Sequence, residues 1–334
     1  MTGDLNTALL SASYRQNSAT EVLNTATENL LALFEFGQTA PAEITDPRHV
    51  QVALKPLQNG PMCEVWEARG PVSRGRSHDV SYATADSITF GQLALDEEQF
   101  DSITEATRHA YSQILGFIGQ HHHPWLWKIW HYIPRINSGE GDQERYRQFC
   151  VGRAAALGDD PSAHPSMPAA TAIGTSVPGN VLQVYFLCGP RPGLHVENPR
   201  QVEPAQYPQK YGKKSPLFSR GTIITDNGDQ QFLISGTASI LGHKTHHRDD
   251  CAEQINETLR NVRALVNESQ RYYGNAGTDE MRFGGLLKVY VREPDDLGII
   301  TAAVSEQMGA QTPTIYLQGD VCRQDLLTEV EGIN

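Results

Sequence analysis

Hydrophobic positions along the chain switch between a period of two and a period near 3.6, and the order of these switches outlines two regions built alike. In the first, Ser87–Leu95 (SITFGQLAL) alternates as a strand. A helix follows from about Asp101, with Ser102 and Glu105 spaced as a capping box and Ile103, Ala106, Ala110, Ile114 and Ile118 on one face. The aromatic and β-branched run Trp125–Ile136 predicts a strand closed by Pro134, and Glu144–Leu157 predicts a second helix. Thr171–Val177, a Pro-Gly-Asn turn and Val181–Gly189 then suggest a hairpin.

The second region repeats this order. Gln231–Ile240 is strand-like, and the helix CAEQINETLRNVRALV, capped near Asp249 or Asp250, gathers Ala252, Ile255, Leu259, Val262 and Val266 on one face. Leu286–Pro294 predicts a strand, Leu297–Met308 a helix, and TIYLQGDV and LLTEVEG two closing strands split at Cys322–Asp325. Each unit therefore reads strand, helix, strand, helix, strand, strand. A repeat distance of roughly 140–150 residues is too long for a solenoid and suits a duplicated α+β domain, with mixed sheets and helices packed on one face.

Polar, Pro-rich residues 157–170 predict an exposed connector, and residues 189–221 a second irregular stretch with a basic cluster. The expected division is an N-terminal extension with strands (1–80), a first domain (81–190), a loop-rich connector (191–229) and a C-terminal domain (230–334). Composition narrows the function classes. There are 27 Lys+Arg against 39 Asp+Glu, a net charge of −12, which removes the electrostatic footprint of a nucleic-acid binder. With 39% hydrophobic and 20% charged residues the chain lies away from the disordered class. Five scattered cysteines form no C-x-x-C pair, which argues against a disulfide framework or zinc knuckle and for a reducing, cytoplasmic setting. No signal-like N-terminus or membrane-length apolar run is legible.

Local motifs sharpen this. FLISGTAS, EQINETLRNVRALV, LKVYVREPDDL and LLTEVEG resemble the signatures of the RidA/YjgF family over nearly all of residues 230–332. HYIPRIN (131–137), ERYRQFCVGRAAA (144–156), QKYGKKSPLFSRG (209–221) and YLQGDVCRQDLLTEVEG resemble the chorismatase family, which couples a degenerate RidA-like half to a C-terminal one. The resemblance implies two RidA/YjgF-like (chorismate-mutase-like) units in one chain, packed as a homotrimer or as a monomeric pseudo-trimer. It implies pyruvate release from chorismate without a cofactor. Subtypes yield 3-hydroxybenzoate, 3- plus 4-hydroxybenzoate, or a dihydroxycyclohexadiene carboxylate; Cys322 in the last motif resembles the hydroxybenzoate-forming members.

Chorismate is a dianion with an enolpyruvyl ether, so a site for it must clamp carboxylates and deliver a proton to a methylene carbon. Lys210, Lys213, Lys214 and Arg220 cluster in one loop, an anion funnel or a solvated basic loop. Arg153, on an otherwise apolar helix, calls for a carboxylate partner, internal or bound. Arg suits bidentate capture, and Arg220 and Arg153 are the expected clamps. On LLTEVEG, strand alternation sets Glu329 and Glu331 on one face. The family motif implies that Glu329 is the general acid, kept protonated by desolvation, and leaves Glu331 structural. Cys322 has no base to make it a nucleophile, so its expected role is product steering. Tyr146, Tyr207 and Tyr211 offer hydroxyls on rigid rings to hold a cyclic carboxylate. Gly236 permits either a close backbone approach or a bulge.

Rival readings are a RidA-like imine or enamine deaminase and a non-enzymatic ligand-binding trimer. The deaminase would need an Arg in the penultimate strand, where Thr314 or Ile315 stands. The histidine tracts 121–123 and 243–247, with Asp249 and Asp250, lack zinc-like spacing. No P-loop, dinucleotide or elbow-serine motif is present. Chorismate is thus the expected partner, with no metal, nucleic acid or membrane.

Overall fold

A computed structural model describes residues 9–41, 43–58, 62–158, 167–273 and 283–334. The elements fall into three sheets. The first comprises β1 (Leu10–Arg15), helix α1 (Ala19–Thr25), β2 (Leu30–Phe36), β3 (His49–Val52) and β4 (Cys63–Ala68), in spatial order β1-β4-β2-β3. The second begins with β5 (Ser73–Ser77), β6 (Val80–Ala85) and β7 (Ile88–Asp96). Helix α2 (Ile103–Gln120), β8 (Trp125–Ile133), α3 (Arg145–Leu157), β9 (Ala169–Gly174) and β10 (Val181–Gly189) complete it.

The third comprises β11 (Leu194–Val196), β12 (Gly221–Asp226) and β13 (Asp229–Ala238), followed by a separate two-stranded ribbon of β14 (Ile240–Leu241) and β15 (Lys244–Thr245), and by α4 (Cys251–Gln270). It ends with β16 (Leu286–Val291), α5 (Leu297–Met308), β17 (Thr314–Gln318) and β19 (Thr328–Ile333), while the intervening β18 (Asp320–Val321) joins the second sheet.

The two expected units share one topology. In each, a helix carries the chain from the second strand to a parallel third, β8 to β9 and β16 to β17, as a parallel connection requires. The closing strand then inserts between the first two: β10 between β7 and β8, β19 between β13 and β16. The first sheet has the same plan in reduced form, with β2 and β3 parallel and β4 between β1 and β2. Residues 9–68 therefore form a third, shorter unit, and β5 and β6 belong to the second sheet.

Two local expectations are corrected. Thr171–Val177 and Val181–Gly189 do not form a hairpin; β8 lies between β9 and β10. The turn residues report only that the chain reverses, and the parallel pairing of β9 with β8 had already taken the near edge. TIYLQGDV is two strands, because after Gly319 the short β18 leaves its sheet and pairs with β9 of the second. A Cβ at Gly319 would lie 2.6 Å from Ile173 Cγ2, so this crossing needs the bare backbone. Helix starts follow the sequence more closely. The Asp250 side chain accepts from the Glu253 amide at 3.0 Å. Ser102 accepts from the Glu105 amide, but Glu105 pairs with Arg108 instead of returning to the cap. Of the Pro-rich connector, residues 159–166 lie outside the described residues. Among the described residues, no helix is long and apolar enough to cross a membrane.

Each sheet covers one face with its helices: α1 packs on Leu30, Leu33 and Val65, α2 and α3 on Ile129, Val184 and Phe186, α4 and α5 on Val289 and Val330. The other three faces turn toward one another around an aromatic core, where Trp130 lies 5.4 Å from Trp66 and stacks on Tyr185 at 4.7 Å. Such pairs add about 0.5–1.5 kcal/mol each beyond their burial.

Set into this core are four buried charges, one or two from each sheet. Lys128 pairs with Glu331 at 2.8 Å, and Lys288 with Glu64 at 2.8 Å and Glu331 at 3.5 Å. Glu331 also accepts from Trp130 Nε1 (2.7 Å), Thr171 Oγ1 (2.5 Å) and Tyr290 Oη (2.7 Å). These partners outweigh the cost of burial and hold the Glu331 carboxyl down to about 2.

Glu331→Gln should lower stability by about 3–5 kcal/mol in chemical denaturation, because it leaves Lys128 and Lys288 buried with one carboxylate between them. Since the Glu331 carboxyl falls from 4.5 to about 2 on folding, its contribution is complete above the higher value and is lost as pH drops toward the lower. The wild-type protein should accordingly lose more stability over that acid window than the variant.

Candidate active site

The second and third sheets do not close fully on each other. Between them lies a cavity of about 580 Å³, walled by α3 and the loop before it, the connector at 207–220, β13, β14 and the 322–329 segment. That volume suits a small cyclic ligand. Tyr146, Tyr207, Tyr211, Arg220, Gly236, Cys322 and Glu329 all line it.

Glu329 reaches the cavity from β19. Val330 faces the helices, so Glu329 and Glu331 face inward, about 7 Å apart along the strand. Whereas Glu331 is fully bonded, the Glu329 carboxyl makes no hydrogen bond to a described residue although it is only 5% exposed. Burial first, and the neighbouring Glu331 charge second, push it up to about 8, against the pull of Arg220 and Lys128. Its room comes from Gly236. The β13–β19 register slips between Ile234 and Thr237, so Gly236 sits in a bulge and donates its amide to Thr171 Oγ1 at 3.1 Å. A Cβ there would lie 1.9 Å from Glu329 Oε1. Bulge and close approach are both present.

Arg220 is 3% exposed and sits immediately before β12. Its Nη2 donates to the Tyr207 hydroxyl at 2.7 Å and the Val202 carbonyl at 3.0 Å, while its buried Nε has no partner. No carboxylate side chain among the described residues pairs with its guanidinium; the nearby Glu197 carboxylate instead accepts its backbone amide at 3.3 Å, and burial pushes Glu197 up to about 7. Tyr207 and Tyr211 face each other at 5.8 Å, and the Tyr211 hydroxyl meets His243 Nδ1 at 3.2 Å. Across the cavity, Tyr146 on α3 stacks on Phe149. Burial pushes the Cys322 thiol up to about 12, with the Glu329 charge acting in the same direction. It is therefore a neutral thiol beside the free carboxyl.

Arg153 is placed differently. It lies beneath the wall on α3, 3% exposed, 5.3 Å from the Phe149 ring and off the cavity lining. Its Nε and Nη2 find no hydrogen-bond partner among the described residues. Of the basic loop, Lys210 lines the cavity, while the exposed Lys213 pairs with Asp142 at 3.6 Å. The histidine tracts are dispersed: His123 bonds Thr89 and the Asp86 carbonyl, His243 bonds Tyr211. Among the described residues, no three His, Cys, Asp or Glu side chains gather as a metal site.

Sequence reasoning passed over Phe218, Arg323 and the paired Arg147 and Arg248, all on the lining. Phe218, Arg323 and Arg147 stand inside quoted motifs, so the signal was adjacent; Arg248 had none. Also unforeseen is Arg292 at the end of β16. It donates to the carbonyls of Val321 (3.1 Å), Arg323 (3.0 Å) and Leu326 (2.8 Å) and pairs with Asp320. The segment carrying Cys322 is thereby tied down from beneath.

The family described as Chorismatase FkbO/Hyg5-like, N-terminal, matches residues 64–188. The chain is 34% identical to a chorismatase of Streptomyces rapamycinicus, over 92% of each protein. It is 30% identical to a 3-hydroxybenzoate synthase of Streptomyces hygroscopicus, over 96% of each. A chorismatase crystal structure superposes with a TM-score of 0.85 at 29% identity, covering 97% of this chain and 98% of that one. With relatives matched over 92–96% of each protein and a shared fold over 97% of this chain, the protein belongs to the chorismatase family.

Proposed function

We propose that the cavity converts chorismate to pyruvate and 3-hydroxybenzoate, alone or together with 4-hydroxybenzoate, with Glu329 as general acid. One observation carries this reading: a buried carboxyl, unbonded and raised to about 8, faces a cavity whose neighbouring Arg220 has no internal carboxylate partner. A group that is still protonated at neutral pH can give a proton, and an unpaired guanidinium can take the substrate's carboxylate.

Glu329 transfers its proton to the enolpyruvyl methylene, which becomes a methyl group, and positive charge develops on the adjacent ether carbon. The bond between ring carbon and ether oxygen then breaks, its electron pair forming the pyruvate carbonyl. The substrate's neighbouring hydroxyl oxygen bonds to the vacated ring carbon while its bond to its original carbon breaks, and loss of the proton on the vacated carbon to Glu329 forms the last ring double bond and restores aromaticity. Water is neither consumed nor produced. Cys322, neutral and beside Glu329, offers no base to activate water, which favours the internal hydroxyl over hydrolysis. The 3-hydroxybenzoate synthase relative supports the same product. Tyr207 orients Arg220, Tyr146 and Tyr211 border the ring, and Arg153 supplies positive charge beneath the wall. The three sheets of one chain around one core support a single chain as the working unit. The five free thiols fit a reducing, cytoplasmic compartment.

Glu329→Gln should cut pyruvate release from chorismate by about 10²–10⁴-fold, the usual worth of a positioned acid. Near wild-type turnover in that variant would remove Glu329 from the mechanism. In the wild type, kcat/KM should fall as pH rises through about 8, where the free enzyme's Glu329 loses its proton.

Gly236→Ala should turn the Glu329 carboxyl aside and lower kcat by about 10-fold or more while the protein stays folded, because the Cβ meets the end of a side chain rather than backbone. An unchanged kcat would show that the carboxyl's present orientation does not matter. For Cys322→Ala, chromatography of the products should reveal an altered ratio of hydroxybenzoates to dihydrodiol, and an unaltered ratio would end the steering role.

A further inference from the structure

Two arginines on the cavity wall lack a carboxylate partner, and the mechanism above uses only Arg220. The other is Arg323, next to Cys322. Its neighbours on the lining are neutralised from within: Arg147 by Glu144 at 3.0 Å and Arg248 by Asp325 at 3.1 Å. Arg323 has no acidic side chain within ion-pair distance among the described residues. Its Nη1 donates to the His243 carbonyl at 3.0 Å and more weakly to Thr245 Oγ1 at 3.4 Å. In a protein with twelve more acids than bases, a cation left unpaired at a cavity is available to a ligand.

Its setting is rigid. The guanidinium lies 4.1 Å from the Tyr211 ring centroid and 5.3 Å from that of Tyr207. Arg292 fixes its backbone by donating to the Arg323 carbonyl. Contact with a ring occupies the face of a guanidinium and leaves the N–H groups along its edge, the part that grips a carboxylate. Arg220 stands 5.7 Å from the same Tyr207 centroid. The two guanidiniums can therefore be no farther apart than the sum of their distances to that ring. This is an arrangement for two carboxylates on one small molecule.

The positions also divide the work. The Arg220 carbonyl accepts from the Ser235 amide at 3.0 Å, next to the Gly236 bulge on which Glu329 lies, and its charge acts on that carboxyl, so the enolpyruvyl arm, whose methylene takes the proton, belongs at Arg220. The ring carboxylate is left for Arg323. We propose that Arg323 binds the ring carboxylate of chorismate, an assignment that rests on reading this cavity as a chorismatase site.

The test compares full-length wild type, Arg323→Gln and Arg323→Lys. Pyruvate release gives kcat and KM for chorismate, and inhibition by 3-hydroxybenzoate, which has the ring carboxylate but no enolpyruvyl arm, gives Ki. Arg323→Gln should raise KM and Ki together by about 10- to 100-fold, the loss of one charge-assisted pair, with kcat within about threefold. Lysine should restore part of both, since it keeps the charge but not the fork. Thermal unfolding at the wild-type midpoint establishes that the variants are folded. A Ki for 3-hydroxybenzoate that does not move in folded Arg323→Gln overturns the assignment. Absence of pyruvate release by the wild type would instead overturn the functional reading itself.

Discussion

Four buried charges, Glu64, Lys128, Lys288 and Glu331, meet where the three sheets turn their inner faces toward one another. A buried ion pair is worth little against an apolar pair of the same shape, but breaking one strands a charge in a medium that cannot solvate it. The network therefore acts on registry. Because side chains alternate along a strand, a slip of one residue in β4, β8, β16 or β19 would turn a charge outward among the helix-facing apolar residues and leave its partners unpaired. Trp130, Thr171 and Tyr290 complete the bonds of Glu331, so this carboxylate draws on groups from the second and third sheets at once.

The active-site chemistry is a consequence of that seating. Glu331 is ionised and satisfied; Glu329, two residues earlier on the same face, makes no hydrogen bond or ion pair with a described residue, and burial and the charge of its neighbour outweigh the pull of Arg220 and Lys128. The titrations of two identical side chains are driven in opposite directions by what surrounds them, the condition that the general acid proposed above requires at neutral pH. Thr171 links the two environments, since it donates to Glu331 and accepts from the Gly236 amide beneath Glu329.

Positive charge is distributed with similar economy. Most arginines are consumed by the protein's own acids, and on the cavity wall Glu144 and Asp325 neutralise Arg147 and Arg248. The guanidiniums left over on that wall, Arg220 and Arg323, lie 5.7 Å and 5.3 Å from the Tyr207 ring centroid. Net charge alone gave no hint of this, because a local surplus of unpaired cations is a matter of who pairs with whom.

Much of the framework was legible from residue order. The helices over Ile103–Gln120, Arg145–Leu157, Cys251–Gln270 and Leu297–Met308 and the strands β7, β8, β13 and β16 follow from apolar periodicity, which local burial enforces. The motif residues Glu329, Cys322, Tyr146, Tyr207, Tyr211 and Arg220 were nameable, and they share one cavity. What periodicity does not encode is adjacency between strands: that β8 separates β9 from β10, that β18 crosses to the second sheet, or that residues 9–68 repeat the unit in reduced form. Nor does it distinguish Arg153, under the wall, from Arg323, on it, since spacing along the chain does not report which distant groups each side chain meets. The sequence by itself determined the main helices and strands of the two repeats and the chemical groups on them, because those depend on neighbours a few residues away. Only the tertiary structure decided which carboxyl is neutral and which arginine is unpaired, because burial and charge pairing are set by partners brought together from distant parts of the chain.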